Sequence, residues 1–88
     1  MKRTVYENYC FPVLRAVVEN PMQRGIAYAS RLGMPHGRAT HVLIGLKKEG
    51  YIDYYDYEFT NVFKGMHRHY YPLEKGIAIV CLIEANID

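Results

Sequence analysis

The sequence predicts a single α+β domain spanning residues 1–88: a three-helix core, then a two-stranded β-hairpin, then a C-terminal helix. Three observations carry that expectation. Before Gly50, apolar residues recur at helical spacing, as in Ala39, Leu43 and Leu46 at i, i+4 and i+7. After Gly50 the period changes, and Tyr51–Phe59 is dense in Tyr and Phe, the composition of a strand. The third observation is charge. Between Asn20 and Lys48 there is no Asp or Glu, whereas Arg24, Arg31, Arg38, Lys47 and Lys48 supply five positive charges. A helix-turn-helix pair whose outer face carries one sign of charge is suited to meeting phosphate.

Composition narrows the class. A chain this short buries only about 60–65% of its unfolded surface and gains from pairing with a copy of itself. Half the residues are hydrophobic and 23% are charged, which excludes a disordered tail. The net charge of +2 says little about a partner. Its distribution says more, because the acids cluster at Glu49–Glu58 and near the termini. Two cysteines are too few for a disulfide framework, so a reducing, cytoplasmic setting is expected. No signal peptide is expected, since Met1-Lys2-Arg3 leads into the mixed, Tyr-rich run VYENYCF. The longest apolar run, Ile77–Ile83, is far below the roughly 20 residues that span a bilayer. No internal repeat, linker or low-complexity segment interrupts the chain.

Taken in order, Thr4-Val5-Tyr6-Glu7 has capping-box spacing and opens the first helix. Tyr6, Tyr9, Cys10, Val13 and Val17 form one apolar stripe; Phe11, Leu14 and Val18 form a second. Two stripes need two packing partners, the domain's own core and, by expectation, a second subunit. Pro12 should kink this helix or split it, and Asn20-Pro21 ends it. The second helix is expected from Met22 or Gln23 to Leu32. Its core face is either Met22/Ile26/Ala29 or Gly25/Tyr28/Ala29. Gly33 suits a left-handed stop, and Pro35 suits the first turn of the third helix.

The third helix is expected over about Pro35–Lys48. At about 100° per residue, Ala39, Leu43 and Leu46 point inward. Gly37, His41, Ile44 and Lys48 point outward, with Arg38 and Thr40 on the flanks. Gly37 and Gly45 each cost the helix up to ~1 kcal/mol, and both are expected on the outward side, where something large would approach the backbone. The alternative is a loose helix start at Gly37 and an incidental Gly45. Beyond Gly50, Tyr51–Phe59 and about Arg68–Leu73 are the two strands, with Pro72 near an edge. The tip falls within Thr60–Met66, its register open. The final helix runs from about Glu74 to Asn86. GIAIVCLIEA is apolar all round, so it is expected to be buried on every side. Its β-branched residues leave a strand as the alternative.

This order of elements resembles the winged helix-turn-helix domains of small prokaryotic regulators, the MarR- and PadR-like dimeric regulators above all. The segment YASRLGMPHGRATHVLIGLKKEGYI carries the family's cadence: an Ala in helix two, Leu-Gly at the turn, and spaced leucines leading to Gly-Tyr-Ile. HYYPLEKG is similar to the return strand running into the last helix. The resemblance covers nearly the whole chain. Two departures stand out. Pro35 replaces the Ser or Thr that opens the recognition helix, and the outgoing strand carries Asp53, Asp56 and Glu58, unusual beside DNA. The resemblance implies a homodimer joined by first and last helices, with recognition helices in major grooves about 34 Å apart.

On this reading the double-stranded DNA contacts come from the third helix and its neighbours. Arg38 is the candidate for a bidentate guanine contact, or else a phosphate or solvated flank charge. His41 and Thr40 can bond base edges, Ile44 can touch a thymine methyl, and Gly37 lets the backbone approach. Lys47, Lys48, Arg24 and Arg31 would position phosphates, though Arg24 and Arg31 are equally readable as solvated charges. In the wing, Lys64, His67 and Arg68 lie in a second acid-free stretch, Phe59–Leu73. Tyr6, Tyr9, Cys10, Val13, Ile77, Val80, Cys81 and Ile83 are the candidate dimer interface. Cys10 and Cys81 are expected as small buried apolar residues, with an intersubunit disulfide as the alternative.

The four histidines, His36, His41, His67 and His69, admit DNA contact, a pH-dependent charge or a metal. No Cys or carboxylate completes a four-ligand set at a recognised spacing, so no metal site is assigned. His36 is expected to be partly buried. No cofactor motif or catalytic set is present, neither P-loop, H-E-x-x-H, G-x-S-x-G nor CxxC, so an enzyme is not expected. Two other readings stay open: a winged-helix module that binds another protein, and a ligand- or metal-gated sensor with its cavity at a dimer interface.

Overall fold

The computed structural model describes residues 3–59 and 65–86. Helix α1 (Val5–Glu19), strand β1 (Gln23–Arg24), helices α2 (Gly25–Leu32) and α3 (His36–Lys48), strands β2 (Ile52–Phe59) and β3 (Gly65–Pro72) and helix α4 (Glu74–Ala85) follow in that order. The fold is α+β, as expected. Helix α1 opens on a complete capping box: the Thr4 hydroxyl accepts from the Glu7 N–H at 3.1 Å, and the Glu7 carboxylate accepts from the Thr4 N–H at 3.3 Å. Pro12 does not split the helix. Proline removes one intrahelical bond, but Val13, Leu14, Ala16 and Val17 are buried beyond it, and that packing carries the turns.

The second helix begins at Gly25, later than the spacing predicts. Met22 takes a φ of 64°, and its N–H donates to the Tyr70 carbonyl at 2.7 Å. Gln23 and Arg24 then pair with Tyr70 and His69 as a sheet edge. The Tyr28 hydroxyl fastens this turn, donating to the Asn20 carbonyl at 2.6 Å and accepting from the Gln23 N–H at 3.3 Å. A two-residue strand is too short to show a period in sequence. Tyr28 and Ala29 are buried while Met22 and Ile26 are exposed, which settles the core face of α2. Gly33 ends the helix in the left-handed region at φ 65°. Pro35 caps α3 from just outside it rather than sitting in its first turn.

The sheet has three antiparallel strands in the order β1-β3-β2, so the predicted hairpin carries an added edge strand. Its ladder runs from Ile52 opposite Pro72 to Phe59 opposite Gly65. The return strand therefore starts before Arg68 and ends where Pro72 has no N–H to give. Residues 60–64 of the expected tip, Lys64 among them, and the His67 side chain lie outside the described residues, while Gly65, expected at the turn, already belongs to β3. The core joins Val13, Val17, Tyr28, Val42, Leu43, Leu46, Ile52 and Val80. Inward Ala39, Leu43 and Leu46 behave as predicted, and Val42, which the heptad-like count passed over, joins them.

Helix α4 overturns one expectation. It is a helix, not a strand, but only Gly76 and Val80 are buried in it. Ile77 and Leu82 are exposed, because a single chain has one surface to offer this element and its sequence is apolar on all sides. The N-terminus of α4 is held closely. The Leu73 N–H donates to the Tyr51 carbonyl at 2.9 Å, and Lys75 Nζ donates to the Glu49 carbonyl at 2.7 Å. Gly76 packs so tightly on that Tyr51 carbonyl that a Cβ would run into it.

Candidate nucleic-acid interface

Four buried side chains, Ala39, Val42, Leu43 and Leu46, press one side of α3 into the core. That leaves Gly37, His41, Ile44 and Lys48 in an exposed row, with Arg38 exposed on one flank and Thr40 half-buried on the other. Among the described residues, nothing within 4 Å would meet a Cβ at Gly37. Gly45 is different from the expectation. A Cβ there would lie 2.5 Å from the Tyr6 ring, so the large group approaching its backbone is the chain's own α1.

Two recesses of about 360 and 350 Å³ lie between α3 and the sheet and share Arg68 and Tyr70. Ile44, Lys47 and Lys48 line the first; Arg24, Thr40 and His36 line the second. Arg24, Thr40, Ile44, Lys47, Lys48 and Arg68, predicted from separate segments, are thus brought together. Arg31 is not. It lines a groove between α1 and α2 with Pro12, Arg15 and Glu19. His36 is exposed rather than partly buried, because α3 begins at that residue.

The carboxylates of β2 reach into this surface. Lys47 Nζ is 3.4 Å from Asp53 Oδ1, and Arg68 Nε is 3.7 Å from Asp56 Oδ1, across the ladder position where the two residues pair. Both cations also sit over the Tyr54 ring, Arg68 at 4.4 Å and Lys47 at 5.2 Å from its centroid. The Tyr54 backbone N–H donates to Asp53 Oδ1 at 2.8 Å. That bond, opposed by slight desolvation and reinforced by Lys47, holds the Asp53 carboxyl below its ordinary value. Sequence reasoning noticed the acids but not their partners. The pairing depends on strand register, for which the sequence carries no signal.

The surface between α1 and α4 is mostly apolar. A groove of about 320 Å³ between α1 and α4 is lined by Tyr6, Cys10, Phe11, Ile79 and Ile83 among others. Burial raises the Tyr6 phenol above its ordinary value. Of the residues predicted for an interface, Tyr9, Ile77 and Cys81 are exposed and Tyr6, Cys10 and Ile83 half-buried. Val13 and Val80 are corrections: the chain buries both in its own core, so neither has surface left for a partner. Leu82, exposed and beside Cys81, was missed. Cys10 and Cys81 are free thiols within the chain. Among the described residues no group of three or more His, Cys, Asp or Glu is placed to hold a metal, and no helix is long and apolar enough to cross a membrane.

This arrangement of helices, three-stranded sheet and hairpin matches solved structures of transcription regulators. FabT of Streptococcus pneumoniae, solved in complex with DNA, superposes with a TM-score of 0.70 at 18% identity, over 86% of this chain and 50% of that one. A MarR protein of Peptoclostridium difficile superposes with a TM-score of 0.76 at 22% identity, over 88% and 48%. The fold is a MarR-like winged helix. The transcriptional regulator SlyA gives a TM-score of 0.69 at 25% identity over 86% and 51%, so the winged helix spans about half the length of the structures it matches. No family model matches the sequence, and no curated protein does. Within the winged helix, α2 and α3 are the helix-turn-helix and β2–β3 the wing.

Proposed function

We propose that this chain is a sequence-specific double-stranded DNA-binding transcription regulator acting as a homodimer, with α3 in the major groove and the β2–β3 hairpin as wing. One observation carries the reading. The exposed row of α3 is free of carboxylates, is held rigid by four buried residues, and continues into the recesses where Lys48, Arg24 and Thr40 gather. Arg38 is assigned to base contact, His41, Thr40, Ile44 and Gly37 to the groove floor, and Lys47, Lys48, Arg24 and Arg68 to phosphates. Arg31 has less support, since Glu19 shares its groove. The half-buried and exposed residues Tyr6, Tyr9, Cys10, Ile77, Cys81 and Ile83, with Leu82, are assigned to the subunit contact between α1 and α4.

Selection of duplexes from a random pool, followed by salt titration on the selected site, tests this. Two-fold half-sites and a log K against log salt slope on the order of −5 are expected. No duplex retained at low salt, or a slope near zero, would overturn the reading. Arg38→Ala is expected to relax sequence preference by ~1–3 kcal/mol, whereas Lys48→Ala should weaken all sequences alike.

A second reading is a winged-helix module that binds another protein. The engagement of Lys47 and Arg68 by Asp53 and Asp56, together with the exposed Ile44, favours it. Specific capture of a protein partner, with Arg38→Glu leaving function intact, would select it over DNA binding.

A further inference from the structure

Two of the cations that line the recess between α3 and the wing are not simply solvated. Lys47 and Arg68 belong to a short network: Asp53, Tyr54 and Asp56 lie within four residues of β2, and each cation touches Tyr54 and one carboxylate. All four charged side chains remain about 40% exposed or more, and the contacts of 3.4 and 3.7 Å are long for charge-assisted bonds. Exposed pairs of this kind contribute little and exchange readily. Lys48, on the same recess, has no carboxylate among its ion pairs in the described residues.

We propose that Asp53 and Asp56 are stand-ins for DNA phosphate, counter-ions that hold Lys47 and Arg68 in the free protein and are displaced by the backbone of a bound duplex. The inference rests on the DNA-binding reading and deepens it by assigning the two acids of the wing an affinity-lowering role at that site. Each exchange frees a carboxylate next to a phosphate. The carboxylate must then be screened by a cation from solution, so part of the counterion release that drives binding is returned. The aromatic ring keeps both cations at the recess while they change partner, since a cation over a ring face needs no carboxylate to stay there.

The test uses Asp53→Asn, Asp56→Asn and the double variant in the full chain, with duplex affinity measured by anisotropy across a salt series. Asn at position 53 keeps an Oδ1 acceptor for the Tyr54 N–H, so the local backbone bond survives. The double variant is expected to bind duplex on the order of tenfold more tightly at low salt, because Lys47 and Arg68 no longer have to give up a carboxylate to take a phosphate. Its salt dependence should steepen, because no cation is taken up. In a Lys47→Ala background the Asp53→Asn gain should largely vanish, as a coupled pair requires. Weaker binding by the Asn variants would overturn the proposal, because it would mean that the carboxylates position the cations for DNA. Unchanged affinity and slope in variants of wild-type melting behaviour would overturn it as well, while leaving the DNA-binding reading standing. Absence of duplex binding by the wild-type chain would overturn both.

Discussion

Helices α3 and α4 are of nearly equal length, 13 and 12 residues, and each has a glycine pressed by a neighbour, Gly45 by Tyr6 and Gly76 by the Tyr51 carbonyl. Their outcomes diverge. Helix α3 buries Ala39, Val42, Leu43 and Leu46 and turns Arg38, His41 and Lys48 outward, with Ile44 among them. Helix α4 buries Gly76 and Val80 and leaves Ile77, Cys81 and Leu82 in the open. A helix with one apolar stripe is completed by one packing surface; a helix apolar on all sides asks for more than one. The first exposes Arg38, His41 and Lys48 beside Ile44, the second the apolar side chains of Ile77 and Leu82. The two helices thus offer surfaces of different chemistry.

The sharpest way to break this comparison is to shorten a leucine on each helix. Leu46→Ala should cost about 2–5 kcal/mol of stability, read as a lowered urea midpoint, because the side chain is 1% exposed. Leu82→Ala at 59% exposure should change the stability of the isolated chain by less than about 0.5 kcal/mol. Its effect belongs in the molar mass: light scattering at micromolar concentration should show a shift toward monomer. An equal loss of stability in the two variants would mean that α4 is as fully packed as α3.

Gly76→Ala comes next. The added methyl meets a backbone carbonyl that already accepts the Leu73 N–H, so it cannot swing aside. A loss of about 1–3 kcal/mol is expected from overpacking, exceeding the ~1 kcal/mol that Ala gains over Gly in a helix. Gly37→Ala should do the reverse. With nothing among the described residues near its Cβ position, thermal or urea unfolding should show a gain of up to ~1 kcal/mol. If the same variant also weakens duplex binding, Gly37 serves close approach of the DNA; a stabilised variant with wild-type affinity would remove it from the interface.

Much of the architecture was legible in advance where a local rule applied. Thr4 and Glu7 announce a capping box whatever lies beyond them, Gly33 announces a left-handed stop, and Ala39, Leu43 and Leu46 announce the inward side of α3. Each depends on residues within one or two turns. Two readings failed because a distant segment intervened. Strand β1 exists because Gln23 and Arg24 pair with Tyr70 and His69 of β3, beside the Met22 N–H bond to the Tyr70 carbonyl, and it takes Gln23 and Arg24 from the expected second helix. Gly45 looked like a gap left for a partner until α1 placed Tyr6 over it.

The candidate site divides in the same way. Which residues are basic, and that no acid lies among them from Asn20 to Lys48, is a property of the chain alone. So is the helical phase that sends His41, Ile44 and Lys48 outward, because it follows from the 3.6-residue turn. Only the folded molecule decides that Arg68 comes to Lys47 while Arg31 goes elsewhere, and that Asp53 and Asp56 neutralise two of the gathered charges. Those facts are set by the register of β2 on β3 and by the seating of the sheet against α3. A one-residue slip would send the same side chains to the opposite face. Helix periodicity is written within a segment, whereas pairing between segments is decided by which arrangement buries the most apolar surface with its backbone bonds satisfied.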